Sequence, residues 1–112
     1  HVATGYDADV LLRWGDPLFA DAPVFDPAAQ SAAAQSKQFG YNNDFIGFIP
    51  LDGSAEHGLL VVNHEYTNPH LMFPGIVAVI EKDGKKKLEQ MLLSKEQVDI
   101  EIAAHGGTIV EI

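Results

Sequence analysis

The spacing of hydrophobic and polar positions changes several times along the chain, and each change marks an expected element. Val10-Leu11-Leu12 is a short apolar run between Gly5-Tyr6-Asp7 and Gly15-Asp16-Pro17, which predicts a strand over residues 8–14. Pro17, Pro23 and Pro27 then fix backbone angles and remove donors, so residues 15–27 are expected to form an ordered, irregular connection anchored by Phe19 and Phe25. Asp26-Pro27 has the form of an N-cap and first helical residue. The Ala-, Gln- and Lys-containing stretch Ala28 to Gln38 then predicts a helix that stops at Gly40.

Phe45-Ile46-Gly47-Phe48-Ile49 reads as a buried-type strand ended by Pro50, and Gly58-Leu59-Leu60-Val61-Val62 as a second, with a turn at Asp52-Gly53-Ser54. This hairpin delivers Asn63-His64-Glu65 at the exit of its second strand. Ile76 to Ile80 and Leu88 to Leu93 flank Asp83-Gly84 and predict another hairpin, whose Lys85-Lys86-Lys87 tip is read as a solvated turn rather than a phosphate patch. Ser94 and Gln97 have capping-box spacing, so Lys95 to His105 is expected to be a helix closed by Gly106-Gly107. The alternation of Val98, Ile100 and Ile102 would also suit a strand, but the signals at both ends favour the helix. Thr108 to Ile112 is a final strand with no partner legible in the sequence. The expected class is mainly β with short helices.

Composition narrows what such a chain can do. With 112 residues, 46% of them hydrophobic, residues 1–112 can form a single segment with a core. A formal charge of −9 excludes a nucleic-acid surface, because phosphate backbones are bound by clustered Lys and Arg. Most of that acidity lies in residues 1–58, where Asp7, Asp9, Asp16, Asp21, Asp26, Asp44, Asp52 and Glu56 face only Arg13 and Lys37. Solubility alone can account for it, and so can an affinity for cations. The absence of cysteine excludes a disulfide framework and a zinc-thiolate site within these residues. No apolar run reaches the length of a membrane span. There is also no glycine-rich phosphate loop, nucleophile elbow or Cys-His pair, so among hydrolytic chemistries the metal-dependent kind remains.

Three groups of residues carry donors suited to a metal. Tyr41-Asn42-Asn43-Asp44 places two amides and a carboxylate between a helix and a strand, hard oxygen ligands of the kind calcium accepts; Asn and Asp are equally ordinary turn formers. Strand alternation puts Asn63 and Glu65 on one face and His64 on the other, so Glu65 could bind a metal with Asn63 beside it. The competing reading makes His64 a packing residue and Glu65 a solvated strand end. Glu101 and His105 are four residues apart and share a helix face, where they could reach a metal or pair with each other. A surface contact, or a histidine interacting with the helix dipole, is the commoner arrangement.

In order along the chain, the blocks Gly5-Tyr6-Asp7-Ala8-Asp9-Val10-Leu11-Leu12-Arg13-Trp14-Gly15-Asp16-Pro17, Gln38-Phe39-Gly40-Tyr41-Asn42-Asn43-Asp44-Phe45, Val62-Asn63-His64-Glu65-Tyr66 and Val98 to Gly107 closely resemble the PhoX family of bacterial alkaline phosphatases. What looks unlike the family is the stretch Val77 to Gln90. The resemblance implies an N-terminal fragment of a β-propeller-type fold, the opening part of a longer phosphatase domain, inactive alone because most of the site would lie elsewhere. It also implies a phosphomonoester substrate, calcium as cofactor with iron in the intact protein of some members, export by the twin-arginine route and a periplasmic or secreted location. On the residues that match, it implies metal-site duty for Glu65, then Asn63, Asn43 and Asp44, then Glu101, with His105 weaker still. Iron-containing members use a cysteine thiolate, which this sequence lacks. Partners would be the rest of the parent chain or another protein chain. The alternative function is a non-enzymatic, calcium-stabilised structural or interaction module.

Overall fold

The computed structural model describes residues 1–112, apart from the side chain of Gln90. The elements are α1 (Ala32–Gln35), β1 (Asn43–Pro50), β2 (Gly58–His64), α2 (Pro69–Met72), β3 (Val77–Lys82), β4 (Lys85–Gln90), α3 (Lys95–Ala104) and β5 (Gly106–Glu111). Strands β1, β2 and β5 form one antiparallel sheet in that order, while β3 and β4 form a separate hairpin. The class is mainly β with short helices, as the sequence predicts.

Both hairpins follow from their turns. Asp83 and Gly84 have φ of +55° and +67°, the left-handed pair that a two-residue turn needs to match strand twist. Lys85 to Lys87 are not the tip itself but the start of β4, where Lys86 stands opposite Glu81. The final strand gains the partner the sequence does not reveal: β5 pairs with β2 from His64↔Gly106 to Leu59↔Glu111, and Gly58 and Ile112 exchange both backbone hydrogen bonds beyond it.

Helix α3 begins as expected. The Ser94 hydroxyl accepts from the Gln97 amide N–H, and the Gln97 side chain accepts from the Ser94 N–H. Its buried positions are Ile100 and Ala104, one turn apart, whereas Ile102 is exposed, so the apparent strand alternation does not describe a buried face. Ile100 and Ala104 pack with Met72, Phe73 and Ile76 into the main apolar cluster, against which Trp14, Tyr41 and Leu93 lean.

Four expectations need correction. The helix over 28–38 shrinks to Ala32–Gln35, capped by Ser31 rather than Asp26; Asp26 instead accepts from the Ala28 N–H in a local turn. Residues 37–39 are taken by an antiparallel crossing with 15–18, in which Leu18 N–H donates to Lys37 O, Phe39 N–H to Asp16 O and Gly15 N–H to Phe39 O. A helix over the same residues would forfeit those bonds. Residues 8–14 form no strand, and Val10 and Leu11 are exposed. Finally, β1 is a strand but not a buried one: Phe45, Ile46, Phe48 and Ile49 are all exposed, and β1 is also an edge of its sheet. Of the two expected anchors of the proline-rich connection, Phe25 packs against Trp14 in a tilted arrangement with ring centroids 4.7 Å apart, while Phe19 is exposed.

Candidate metal-binding cleft at the exit of β2

Alternation along β2 buries Val62 and His64 and exposes Asn63, and Glu65 continues on the exposed side. The ladder of β2 ends at His64, so Glu65, Tyr66 and Thr67 leave the sheet as an irregular segment before α2 opens at Pro69. That segment meets one face of α3. Glu65, Tyr66, Thr67, Val98, Glu101, Ile102 and His105 together line an open cleft of about 380 Å³. The fold thus brings Glu65 and Glu101 to one place, with His105 at the same wall.

The backbone of Glu65 is fixed at both ends. Its N–H donates to Asn42 O at 3.2 Å, and its carbonyl oxygen lies 2.5 Å from His105 Nε2. His105 is the C-cap of α3, so this contact ties the end of the helix to the segment leaving β2. Asn63, Asn43 and Asp44 do not line this cleft. Asn42 sits in the left-handed region at φ +52°, the turn-former behaviour of such a cluster, and Asn43 opens β1 directly opposite His64. Asn43 lines a different cavity, with Leu60, Val62 and residues 9–12, and Asp44 is exposed on β1.

The model of the family Alkaline phosphatase PhoX matches residues 1–112. The chain belongs to the PhoX family. Among solved structures, Pseudomonas fluorescens PhoX in complex with vanadate, a transition state analogue, is similar at 35% identity with a TM-score of 0.74; the match covers 96% of this chain and 17% of that one. This chain therefore spans less than a fifth of that PhoX protein's length. No curated protein matches it.

Within this PhoX segment the donors fit a hard cation in kind but not in number. Two carboxylates and no thiolate suit calcium rather than a thiolate-ligated iron. Among the described residues, however, no three His, Asp or Glu side chains are grouped to hold an ion. Calcium takes six to eight oxygens, so Glu65 and Glu101 could be only part of a coordination shell. No helix is long and apolar enough to cross a membrane, among the described residues.

His64 has a structural part that sequence logic only half anticipates. It is 2% exposed, its ring meets Phe39 edge-on at 4.9 Å, and its Nε2 lies 2.8 Å from Thr108 Oγ1 on β5. Thr108 carries no local motif; the β2–β5 pairing alone reveals it. Burial pushes the imidazole below its ordinary pKa and the nearby His105 adds to this, while the Tyr41 backbone works in the opposite direction without meeting hydrogen-bond geometry. His64 is therefore neutral in the fold at neutral pH. The unfolded chain, with an ordinary pKa near 6.5, binds the extra proton first as pH falls. Stability should be full above that value and be lost as pH drops toward the lower folded pKa. We expect the melting temperature of the full-length protein to fall between about pH 7.5 and about pH 5.5, and His64→Gln to reduce that fall; an equal fall in both would show that His64 is not its source.

Proposed function

We propose that this chain is part of a secreted, metal-dependent alkaline phosphatase that hydrolyses phosphomonoesters, with Glu65 and Glu101 serving a calcium site. The observation that carries this reading is the meeting of Glu65 and Glu101 in one open cleft at a strand exit, in a chain matched over its whole length by the PhoX family model. Asn63, Asn43 and Asp44 are outer candidates on neighbouring strand positions. Calcium, when bound, would hold phosphate oxygens and offset charge developing during phosphoryl transfer to water. The protein's own contribution from this segment is to bring two carboxylate residues from different elements, one on a strand exit and one on a helix, to the same cleft.

The rest of the shell, and any iron with its thiolate ligand, belongs to other parts of the parent chain. In this reading residues 1–112 are the opening part of a β-propeller-type domain, exported through the twin-arginine route to the periplasm or beyond, and have no turnover alone. The exposed side chains of β1, Phe45, Ile46, Phe48 and Ile49, support the same view, since apolar surface of that extent is ordinarily covered by further protein.

The test is hydrolysis of p-nitrophenyl phosphate by the full-length chain with calcium, then with chelator, then with calcium restored. Turnover should vanish and return. Turnover indifferent to chelator would remove the metal from the mechanism, and absence of turnover under calcium would favour the non-enzymatic, calcium-stabilised module.

A further inference from the structure

Residues paired across neighbouring strands share a face of the sheet, so the ladders of β1, β2 and β5 sort their side chains into two sets. One set includes Ile46, Phe48, Leu60, Val62, His64 and Thr108. This face carries the buried positions of β2, namely Gly58, Val62 and His64, and it shares a cavity with residues 9–12 and Phe39. The other set is Phe45, Ile49, Leu59, Val61 and Ile109, with Gly47 among them. The irregularity between Asn43 and Ile46 breaks the alternation there, but Phe45 is placed by its ring. A Cβ on Gly47 would meet Phe45 Cε1 at 3.2 Å, so the ring lies on the face to which a side chain at position 47 would point. No position on this second face is buried, and Phe45, Ile49 and Ile109 are 65%, 52% and 65% exposed.

We infer that this second face is a docking surface whose occupant is an apolar segment of the same PhoX chain outside residues 1–112; this rests on the reading of the segment as part of a longer protein. A strand with apolar side chains on both sides has the pattern of one covered on both faces, and sheets are stable when each apolar face has a layer against it. Within residues 1–112 only the first face holds buried side chains. Charge is also kept off the second face. In a chain of net charge −9 its paired positions include one charged side chain, Glu111, which stands opposite Leu59 and pairs with His57, while Asn63 marks the other end of β2. An apolar centre with polar ends is the anatomy of an interface between packed surfaces. Size selects the occupant. Strands about 4.8 Å apart, rising about 3.3 Å per residue, make the patch from Phe45 to Ile49 across three strands roughly 10 Å by 13 Å. A stable contact between two copies buries about 800 Å² on each. So small a patch falls far short of that, whereas a layer supplied by the same chain has no association entropy to offset. There is chain enough to supply it, since the match with Pseudomonas fluorescens PhoX covers only 17% of that protein.

The test is residue-level hydroxyl-radical footprinting of the full-length protein, with p-nitrophenyl phosphate turnover measured on the same sample. Phe39 and Val62, 1% and 2% exposed, calibrate a covered side chain, and each residue's own rate in the urea-unfolded protein calibrates a free one. We expect Phe45, Ile49 and Ile109, in the monomer fraction from gel filtration, to lose their oxidation down to the level of Phe39 and Val62. Ile109→Asn should lower the melting temperature of the full-length protein by several degrees, because its amide would be set against an apolar layer. On a face open to water the same change would leave it near wild type. Oxidation of the three side chains near their unfolded rates would overturn the inference, and turnover in that same sample would leave the phosphatase reading standing. Protection confined to a dimer fraction would give the face to a second copy and likewise overturn it. Protection in a monomer without turnover would support the inference and remove the phosphatase reading.

Discussion

Gly40→Ala is expected to be among the most damaging single changes in this segment, lowering stability by about 3 kcal/mol, the upper end of what overpacking a filled site ordinarily costs. The reason is space and not backbone conformation, since Gly40 is not among the residues in the left-handed region. A Cβ at position 40 would lie 2.5 Å from His64 Cγ and 2.7 Å from the Ala104 carbonyl oxygen. Neither can retreat cheaply. The His64 ring is held by Thr108 and Phe39 and is 2% exposed, and the Ala104 carbonyl accepts from the Tyr41 N–H while its own side chain is fully buried. Gly107→Ala supplies the comparison. It is also outside the left-handed region, but its added Cβ would meet only Val62 O at an ordinary 3.5 Å, so its melting temperature should stay near wild type. Thermal unfolding of both variants in the full-length protein decides the matter; equal melting temperatures would mean that the packing around Gly40 yields.

The same neighbourhood shows which parts of the fold are legible in the sequence. Elements whose signals are local and complete appear where expected: Asp83-Gly84 forces its turn by φ alone, and Ser94 with Gln97 closes a capping box that needs no tertiary help. Elements that depend on what lies across the chain are less legible. Ala28 to Gln38 has helical composition, yet residues 37–39 gain more by crossing residues 15–18, so only Ala32–Gln35 remains helical. Val10-Leu11-Leu12 has the composition of a strand but pairs with no other strand, and composition says nothing about partners. The apolar run of β1 is a correct strand with an incorrect burial, because a sequence cannot distinguish a strand covered by its own segment from one left exposed here. The site divides in the same way. Alternation along β2 is enough to separate Asn63 and Glu65 from His64. Only the fold brings Glu101 to the Glu65 cleft, places Asn43 in a different cavity, and shows that the His105 side chain is engaged with the Glu65 main chain.

Glu65→Gln should abolish most of the phosphatase activity of the full-length protein while leaving its fold intact. Glu65 is exposed, and its recorded hydrogen bonds, to Asn42 and His105, are made by its main chain, so the amide replaces the carboxylate without removing any contact that holds the segment in place. What changes is the charge and one strong acceptor on a residue that lines the cleft. If that carboxylate helps hold a cation whose effect on the transition state is worth several kcal/mol, weakening it costs on the order of 10² to 10³ in kcat/KM. The calcium concentration needed for half-maximal activity should rise with it, because an amide oxygen is a weaker ligand than a carboxylate for a hard cation. Glu111→Gln is the control for charge alone: Glu111 is exposed on β5, pairs with His57 at 2.7 Å and does not line the cleft, so its loss should leave both quantities close to wild type. Steady-state rates across a calcium titration separate the cases. A Glu65→Gln protein with wild-type rate and wild-type calcium dependence would take Glu65 out of the metal site and move the search for its ligands to the remainder of the PhoX chain.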